Sequence, residues 1–192
     1  MRRYPELAIR IDVEHEIVSP VAENYDIVFA MLEAPLASAG TIIRRVFSIE
    51  RGLFAAPALL ERFGAPRSWE DLAKLPLLTG PSDAPWALTT PQGTLEHLAV
   101  EKARLTSSNA HIRLQAALAG HGVLRVTASF TRAAVEAGLL RRLLPDHICE
   151  PLNVHALLPA RQYVPAKVRC FLDALEAHAH DSPVARADQW PG

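Results

Sequence analysis

Residues 56–78 read APALLERFGAPRSWEDLAKLPLL, and the fold is decided here. Leu59, Leu60 and Phe63 share one face of a short helix, and Gly64 is its expected stop, because glycine accepts the backbone that ends a helix at no steric cost. Ser68 then opens a second short helix as its N-cap. Asp71, three residues on, makes an acidic variant of the capping box, in which the two residues satisfy each other's free backbone N–H groups. These two short helices sit in a chain whose strand and helix patterns alternate, which is an α/β series.

The pattern continues in both directions. Upstream, YDIVFAML (25–32) is a nearly unbroken apolar run, as expected of a strand buried on both faces. GTIIRRVFSIERGLFAAP (40–57) reads as two more strands with a turn near Arg51–Gly52. RRYPELAIRIDV (2–13) reads as a helix end, a proline turn and a strand that alternates Leu7, Ile9, Ile11 and Val13. EIVSPVAENYD (16–26) between them is a short helix or turn. Downstream, LLTGPSDAP (77–85) is dense in Gly, Pro, Ser and Asp and reads as a linker or exposed loop. WALTTPQGTLEHLAV (86–100) is a hairpin turning at Pro91–Gln92–Gly93. KARLTSSNAHIRLQAALAGHG (102–122) runs from a strand end into a helix. Ala110, Leu114, Ala117 and Leu118 form its apolar stripe, Ser107 or Ser108 its N-cap and Gly120 its stop. VLRVTASF (123–130) is a strand, followed by a helix, TRAAVEAGLL, that stops near Gly138. NVHALLPAR (153–161) is a further strand. VPAKVRCFLDALEAH (164–178) is a helix with Pro165 in its first turn and Val168, Phe171, Leu172 and Leu175 at helical spacing. The polar tail beyond it is expected to fray.

The series breaks near residue 80 and resumes after residue 160, and the last amphipathic helix is expected to return to the first lobe. Two α/β lobes joined by two crossings place a ligand cleft between them.

Composition narrows the function. Of the 192 residues, 49% are hydrophobic and 21% charged, which sustains a packed core and argues against disorder. A net charge of −1 argues against a broad basic surface for nucleic acid. The two cysteines, Cys149 and Cys170, fit no metal spacing and read as buried free thiols in a reducing compartment. No apolar run reaches the ~18 residues of a membrane span, and Arg10, Asp12 and Glu14 interrupt what would be the apolar stretch of a signal peptide. A cytoplasmic location is expected.

Catalytic signals are missing from the sequence. There is no HExxH and no Cys/His cluster. His178 and His180 sit where a helix runs into a polar tail, and His111 and His121 flank another helix as first-turn and turn residues. No GxSxG occurs, and Ser82 has no paired base to activate it. GHG follows a helix, whereas a phosphate loop precedes one. Glu70–Asp71 is helix-dipole compensation. No enzyme, metal or cofactor is expected.

Binding signals are better. LTSSNAHI gathers Thr106, Ser107, Ser108 and Asn109 at a helix start, where free N–H groups and the dipole favour an anion or carboxylate. An ordinary N-cap with spare polar neighbours explains the same residues, and capping alone is the weightier account of the residues by themselves. Thr127 and Ser129 interrupt a strand at its C-terminal end, where α/β folds bind ligands, although Ser129 or Thr131 capping the next helix is the alternative. MLEAPL places Glu33 beyond the end of a buried strand, facing either a ligand or solvent.

In this order, RRYPELAIRI, VAENYDIVFAM, APLASAGTIIRRV, LFAAPALLERFGAPRSWEDLAKLPLL, TSSNAHIRLQAALAGHGV, AGLLRRLLPDH and VHALLPARQYVPAKVRCFLDAL resemble the effector-binding regulatory domain of LysR-type transcriptional regulators. No single stretch is diagnostic; their joint order and spacing up to about His178 carry the resemblance. It implies a two-lobed α/β fold like the type II periplasmic binding proteins, with lobe one at 1–79 plus 162–192 and lobe two at 80–161. It implies a small-molecule effector held by Thr106 to Asn109, by Leu32, Glu33 and Ala34 after the buried strand, and by Thr127. This raises Thr106–Asn109 above the capping account. It also implies homo-oligomers and DNA binding through a winged helix-turn-helix that these 192 residues do not include. The first strand and first long helix of lobe one are expected to be missing as well, so a truncated or mis-started gene product is compatible with this reading. A stand-alone solute-binding module is the alternative. Where the family has an apolar strand ending in proline, this chain has VLRVTASF. Arg125 is therefore either an anion partner for the cleft or a surface residue, and the surface is favoured because arginine is rarely buried unpaired.

Overall fold

Strands form where the apolar runs are continuous, and helices where the apolar stripe is capped. The protein is described by a computed structural model over residues 4–14, 17–31, 40–81, 83–160 and 164–181. It divides into two compact units, Met1–Ser48 with Leu152–Gly192, and Ile49–Pro151.

The first unit has turns at residues 5–6 and 20–24, and in the second Asn24 takes a positive φ of 55°, tolerable for asparagine. β1 (Val28–Met31) and β2 (Thr41–Ile49) follow. The chain then enters the second unit with β3 (Arg51–Ala55), α1 (Pro57–Phe63), α2 (Trp69–Ala73) and β4 (Leu77–Thr79). Pro57 starts α1 at the position where its missing N–H costs nothing. The Ser68 hydroxyl caps α2 by accepting from Asp71 N at 3.3 Å, while an Asp71 carboxylate oxygen accepts from Arg67 N, one residue away from the reciprocal capping-box bond. β5 (Trp86–Thr89) and β6 (Leu95–Leu98) make the expected hairpin, and Gly93 turns it with φ of 85°, a conformation only glycine adopts freely. β7 (Leu105–Thr106), α3 (Ala110–Leu118), β8 (Val123–Thr127), α4 (Ala128–Glu136), β9 (Arg141–Leu143) and β10 (Ile148–Cys149) complete the unit. β11 (Leu152–Pro159) and α5 (Ala166–Asp181) return to the first unit.

The second unit holds a five-stranded sheet in the order β7-β4-β8-β3-β9 and a three-stranded sheet in the order β10-β5-β6. β4 is parallel to β7 and β8, and β3 is antiparallel to β8 and β9. Their core runs through Leu53, Leu59, Leu72, Trp86, Val123 and Leu143. Gly122 leads into β8 so close to the start of β4 that a Cβ there would stand 2.7 Å from the Pro76 carbonyl oxygen, so no other residue fits. In the first unit β11 lies between β1 and β2. One face packs Ala156 and Leu158 against Val168 and Leu172 of α5, and a smaller cluster joins Ala30 and Leu157.

Four expectations change. Residues 77–79 are not linker but the buried strand β4. β3, α1, α2 and β4 consequently join the unit that holds residues 80–151, so the units part after Ser48 and after Pro151, rather than at 79/80 and 161/162. The Pro and Gly of residues 80–85 mark only the loop that follows. The turn expected at Arg51–Gly52 is the start of β3, with the break between strands at Glu50. Residues 7–13 form no strand among the described residues, and Ile11 and Val13 are 80% and 88% exposed. Alternation supplies a face, but a strand also needs a neighbouring backbone, and no described strand pairs with it.

Candidate functional site

Three parallel strands run to the same edge of one sheet, β8 extending two residues beyond β4. Thr79, Thr106 and Thr127 close β4, β7 and β8 at the same edge of the five-stranded sheet, Thr79 opposite Thr106. β3 runs the other way, so its first residue, Arg51, pairs with Thr127 at that edge. The C-terminal edge of parallel strands is where α/β sheets meet their ligands, because loops and helix starts converge there.

The Thr106–Asn109 segment lies on this edge. Thr106, Ser108 and Asn109 are exposed and Ser107 is half-buried. Asn109, rather than Ser107 or Ser108, is the N-cap of α3: its Oδ1 accepts from His111 N at 2.9 Å and from Ile112 N at 3.4 Å. The amide oxygen of an extended Asn109 reaches both donors, so two of the N–H groups expected to await a ligand are already bonded. The serines take other tasks. Ser107 Oγ accepts from Asn109 N, Ser107 N donates to the Thr79 carbonyl at 3.0 Å, and the Ser107 carbonyl accepts from the Arg113 guanidinium. Ser108 makes no hydrogen bond among the described residues. Thr127 is half-buried and precedes α4 without capping it. Neither Ser129 nor Thr131 is a cap: both lie inside α4, and the Thr131 hydroxyl donates to the Ala128 carbonyl. Leu32, Glu33, Ala34 and Ser82 lie outside the described residues.

Beneath this edge is a cluster that the sequence did not announce. Arg125, expected at the surface, is buried, with its side chain 1% exposed. Its Nη2 donates to Asp83 Oδ1 and its plane lies over the Trp86 ring at 5.5 Å. The correction has a plain cause. Arg125 sits in β8, the central strand of its sheet, and Asp83 in the loop after the neighbouring β4 supplies the counter-charge that lets a guanidinium be buried. Arg51 is buried as well. Its Nη1 donates to the same Asp83 oxygen at 3.1 Å, and its Nε to the Glu150 carbonyl at 2.6 Å. Arg113 is the third buried guanidinium; its Nη1 would stand 3.3 Å from a Cβ at Gly80. Burial and the nearby Arg125 push the Arg51 pKa down, and burial does the same for Arg113. Cys149, next to the cluster, has its thiol pushed up to about 11 by burial. A charged residue in the middle of VLRVT was the one signal in the sequence, since such a residue needs a partner; Asp83, 42 positions away, gave none.

The arrangement can bind an anion. Guanidiniums are fixed donors with no acceptor function and match carboxylate geometry. No group of three or more His, Cys, Asp or Glu residues among those described could hold a metal.

Residues 1–180 match the family described as LysR substrate binding domain. The chain is 30% identical over 183 residues to the HTH-type transcriptional regulator DmlR of Escherichia coli K12, covering 92% of this chain and 57% of DmlR. It is 26% identical to the HTH-type transcriptional activator TtdR of E. coli UTI89, covering 92% of this chain and 57% of TtdR. The chain thus spans little more than half the length of the curated relatives it matches. Among solved structures, it is similar to the regulatory domain of AphB of Vibrio vulnificus, at 26% identity and a TM-score of 0.72 over 93% of this chain and 87% of that one. Full-length AphB of Vibrio cholerae, a virulence activator of the LTTR family, matches at 25% identity and a TM-score of 0.75 over 93% of this chain and 60% of that one. These regulatory domains have the two-lobed fold of periplasmic binding proteins. The chain belongs to the LysR substrate-binding domain family, the effector-sensing part of LysR-type transcriptional regulators.

Proposed function

We propose that this chain senses a small carboxylate at the strand-end edge of its 49–151 unit and passes that occupancy on to a DNA-bound regulator. The carrying observation is the convergence of Thr79, Thr106 and Thr127 with buried Arg51, Arg113 and Arg125 on one edge. Hydroxyls and backbone groups of Thr106–Asn109 and Thr127 would orient the ligand, and the guanidiniums would supply the positive potential. Leu32, Glu33 and Ala34 are proposed as further effector contacts on the family resemblance alone. Binding would favour one of two conformations and so bias an oligomer on its operator. DNA binding and oligomerisation are proposed for a longer protein that carries a helix-turn-helix, acting in the cytoplasm without catalysis of its own. No described helix is long and apolar enough to cross a membrane.

The test is thermal unfolding of the 192-residue chain against a panel of mono- and dicarboxylates. At least one should raise the Tm saturably, as a ligand that binds only the folded state must. The double variant Thr106→Val with Thr127→Val should lose most of that rise. A panel that moves neither protein overturns the reading.

A further inference from the structure

Charge is out of balance beneath the strand-end edge. Arg51, Arg113 and Arg125 are buried, and arginine stays protonated at any physiological pH. Against them stand, among the described residues, one carboxylate in direct contact, Asp83, and one more distant, Glu150, whose Oε2 is 4.0 Å from Arg51 Nη2 and whose side chain is 47% exposed. Asp83 is also used sparingly. Arg51 and Arg125 both converge on its Oδ1, so neither forms the two-pronged pair that a guanidinium and a carboxylate can make. Arg125 Nε and Nη1 and Arg113 Nε are buried with no hydrogen-bond partner among the described residues. Buried donors left without acceptors are costly, and costlier when charged.

Asp83 is built to be dispensable from this position. Its backbone is held without help from its carboxylate: its N donates to the Gly80 carbonyl at 3.2 Å, and its own carbonyl accepts from the Thr79 hydroxyl at 3.0 Å. The side chain is 20% exposed while that of Arg125 is 1% exposed, so the acid is the member of the pair that faces solvent. Gly80 keeps the adjoining space free of a side chain, since a Cβ there would press on both Arg113 and Asp83 at 3.3 Å.

We propose that Asp83 is a built-in competitor occupying an anion site made by Arg51, Arg113 and Arg125, and that an effector carboxylate binds by displacing it. The proposal deepens the function proposed above and rests on it. The incoming carboxylate takes the two-pronged geometry on Arg125 that Asp83 leaves unused, and the freed Asp83 side chain turns to water from an unchanged loop backbone. Affinity is therefore the difference between two carboxylates competing for the same guanidiniums. The site stays partly neutralised when empty and responds only to an anion that outcompetes a tethered one.

Succinate is the probe, with binding measured by calorimetry and by thermal unfolding on the wild-type chain, Asp83→Asn and Asp83→Ala. Removing the competitor should tighten succinate binding by about tenfold or more. The variants should unfold at lower temperature than wild type in anion-poor buffer and recover more of their Tm with succinate than wild type gains. Binding by the variants alone also supports displacement, with wild type held shut by Asp83. If wild type binds succinate and both variants bind it equally or more weakly, displacement is overturned and the carboxylate-sensing reading stands. If none of the three binds succinate, displacement is overturned, and the carboxylate panel alone decides the sensing reading. Should the variants fold only in the presence of succinate, displacement is supported; failure to fold even then makes Asp83 a structural counter-ion and overturns it.

Discussion

The two units of this chain are built from the same materials to different depths. The 49–151 unit encloses fully buried Leu53, Phe54, Leu59, Leu72, Trp86, Leu88 and Leu124 between two sheets and their helices. Among its described residues, the unit made of 1–48 and 152–192 has one three-stranded sheet and small clusters around Ala156 and Leu157, and it exposes Ile11, Val13, Ile17, Val21 and Met31. Apolar surface buried is what offsets chain entropy, so the 49–151 unit is the more self-sufficient body. It also carries the arginine cluster. Three buried guanidiniums tax stability, and a deep core is the place that tolerates the tax.

Two leucines put this contrast to the sharpest test. Leu72 of α2 is 0% exposed and Leu172 of α5 is 2% exposed, so they match in type and burial and differ in unit. Leu72 belongs to the large cluster, where neighbours are fixed from all sides and a cavity persists; Leu172 belongs to a small one that can close around a loss. Leu72→Ala should cost about 3–5 kcal/mol and Leu172→Ala about 2–3 kcal/mol, because cost grows with the cavity left behind. Urea unfolding of both variants checks this. Equal costs, or a larger one for Leu172, would break the contrast.

The cysteines sharpen it. Cys149 lies in the deep unit, 4% exposed, while Cys170 on α5 is half-buried. A thiol pushed up to about 11 stays protonated at pH 8, below its pKa, and the thiolate is the reactive form. Relative to an ordinary thiol near 9, two pKa steps remove about a hundredfold of thiolate before access is considered. A disulfide reagent at pH 8 should therefore label Cys149 at least about a hundredfold more slowly than an ordinary thiol, and only after the more accessible Cys170, unless unfolding exposes both. Comparable rates would mean that the deep unit opens as readily as its partner.

The sequence was legible where one residue's neighbours along the chain decide its role. The α1 and α2 helices, the Ser68 cap, the hairpin at Gly93 and the closing helix all follow from local spacing, and the family follows from their order. What could not be read depends on residues brought together from afar. β4 looked like linker because its three buried residues sit against Gly80 and Pro81, and only pairing with β7 and β8 makes it a strand. Residues 7–13 have a strand's pattern without a partner among the described strands. Arg125 was visible as an oddity, but its burial requires Asp83 and Trp86 from the loop and strand after β4. The polar run at 106–109 was seen, while the division of labour within it depends on which oxygen reaches which N–H.

That division allows the finest test. If Asn109 serves α3 as a cap, Asn109→Ala should cost about 1 kcal/mol, while Asn109→Ser, which keeps an oxygen within reach of the same donors, should recover most of it. Ser108→Ala, with no hydrogen bond to lose among the described residues, should stay within about 0.5 kcal/mol of wild type. The same three variants separate stability from binding. A ligand held by the arginines beneath the edge would keep its affinity in Asn109→Ser. A ligand held by the amide of residue 109 itself would lose affinity in a protein whose stability is unchanged. Unfolding and carboxylate titration on one set of variants thus decide whether this exposed edge holds the ligand itself or only supports the buried charges that do.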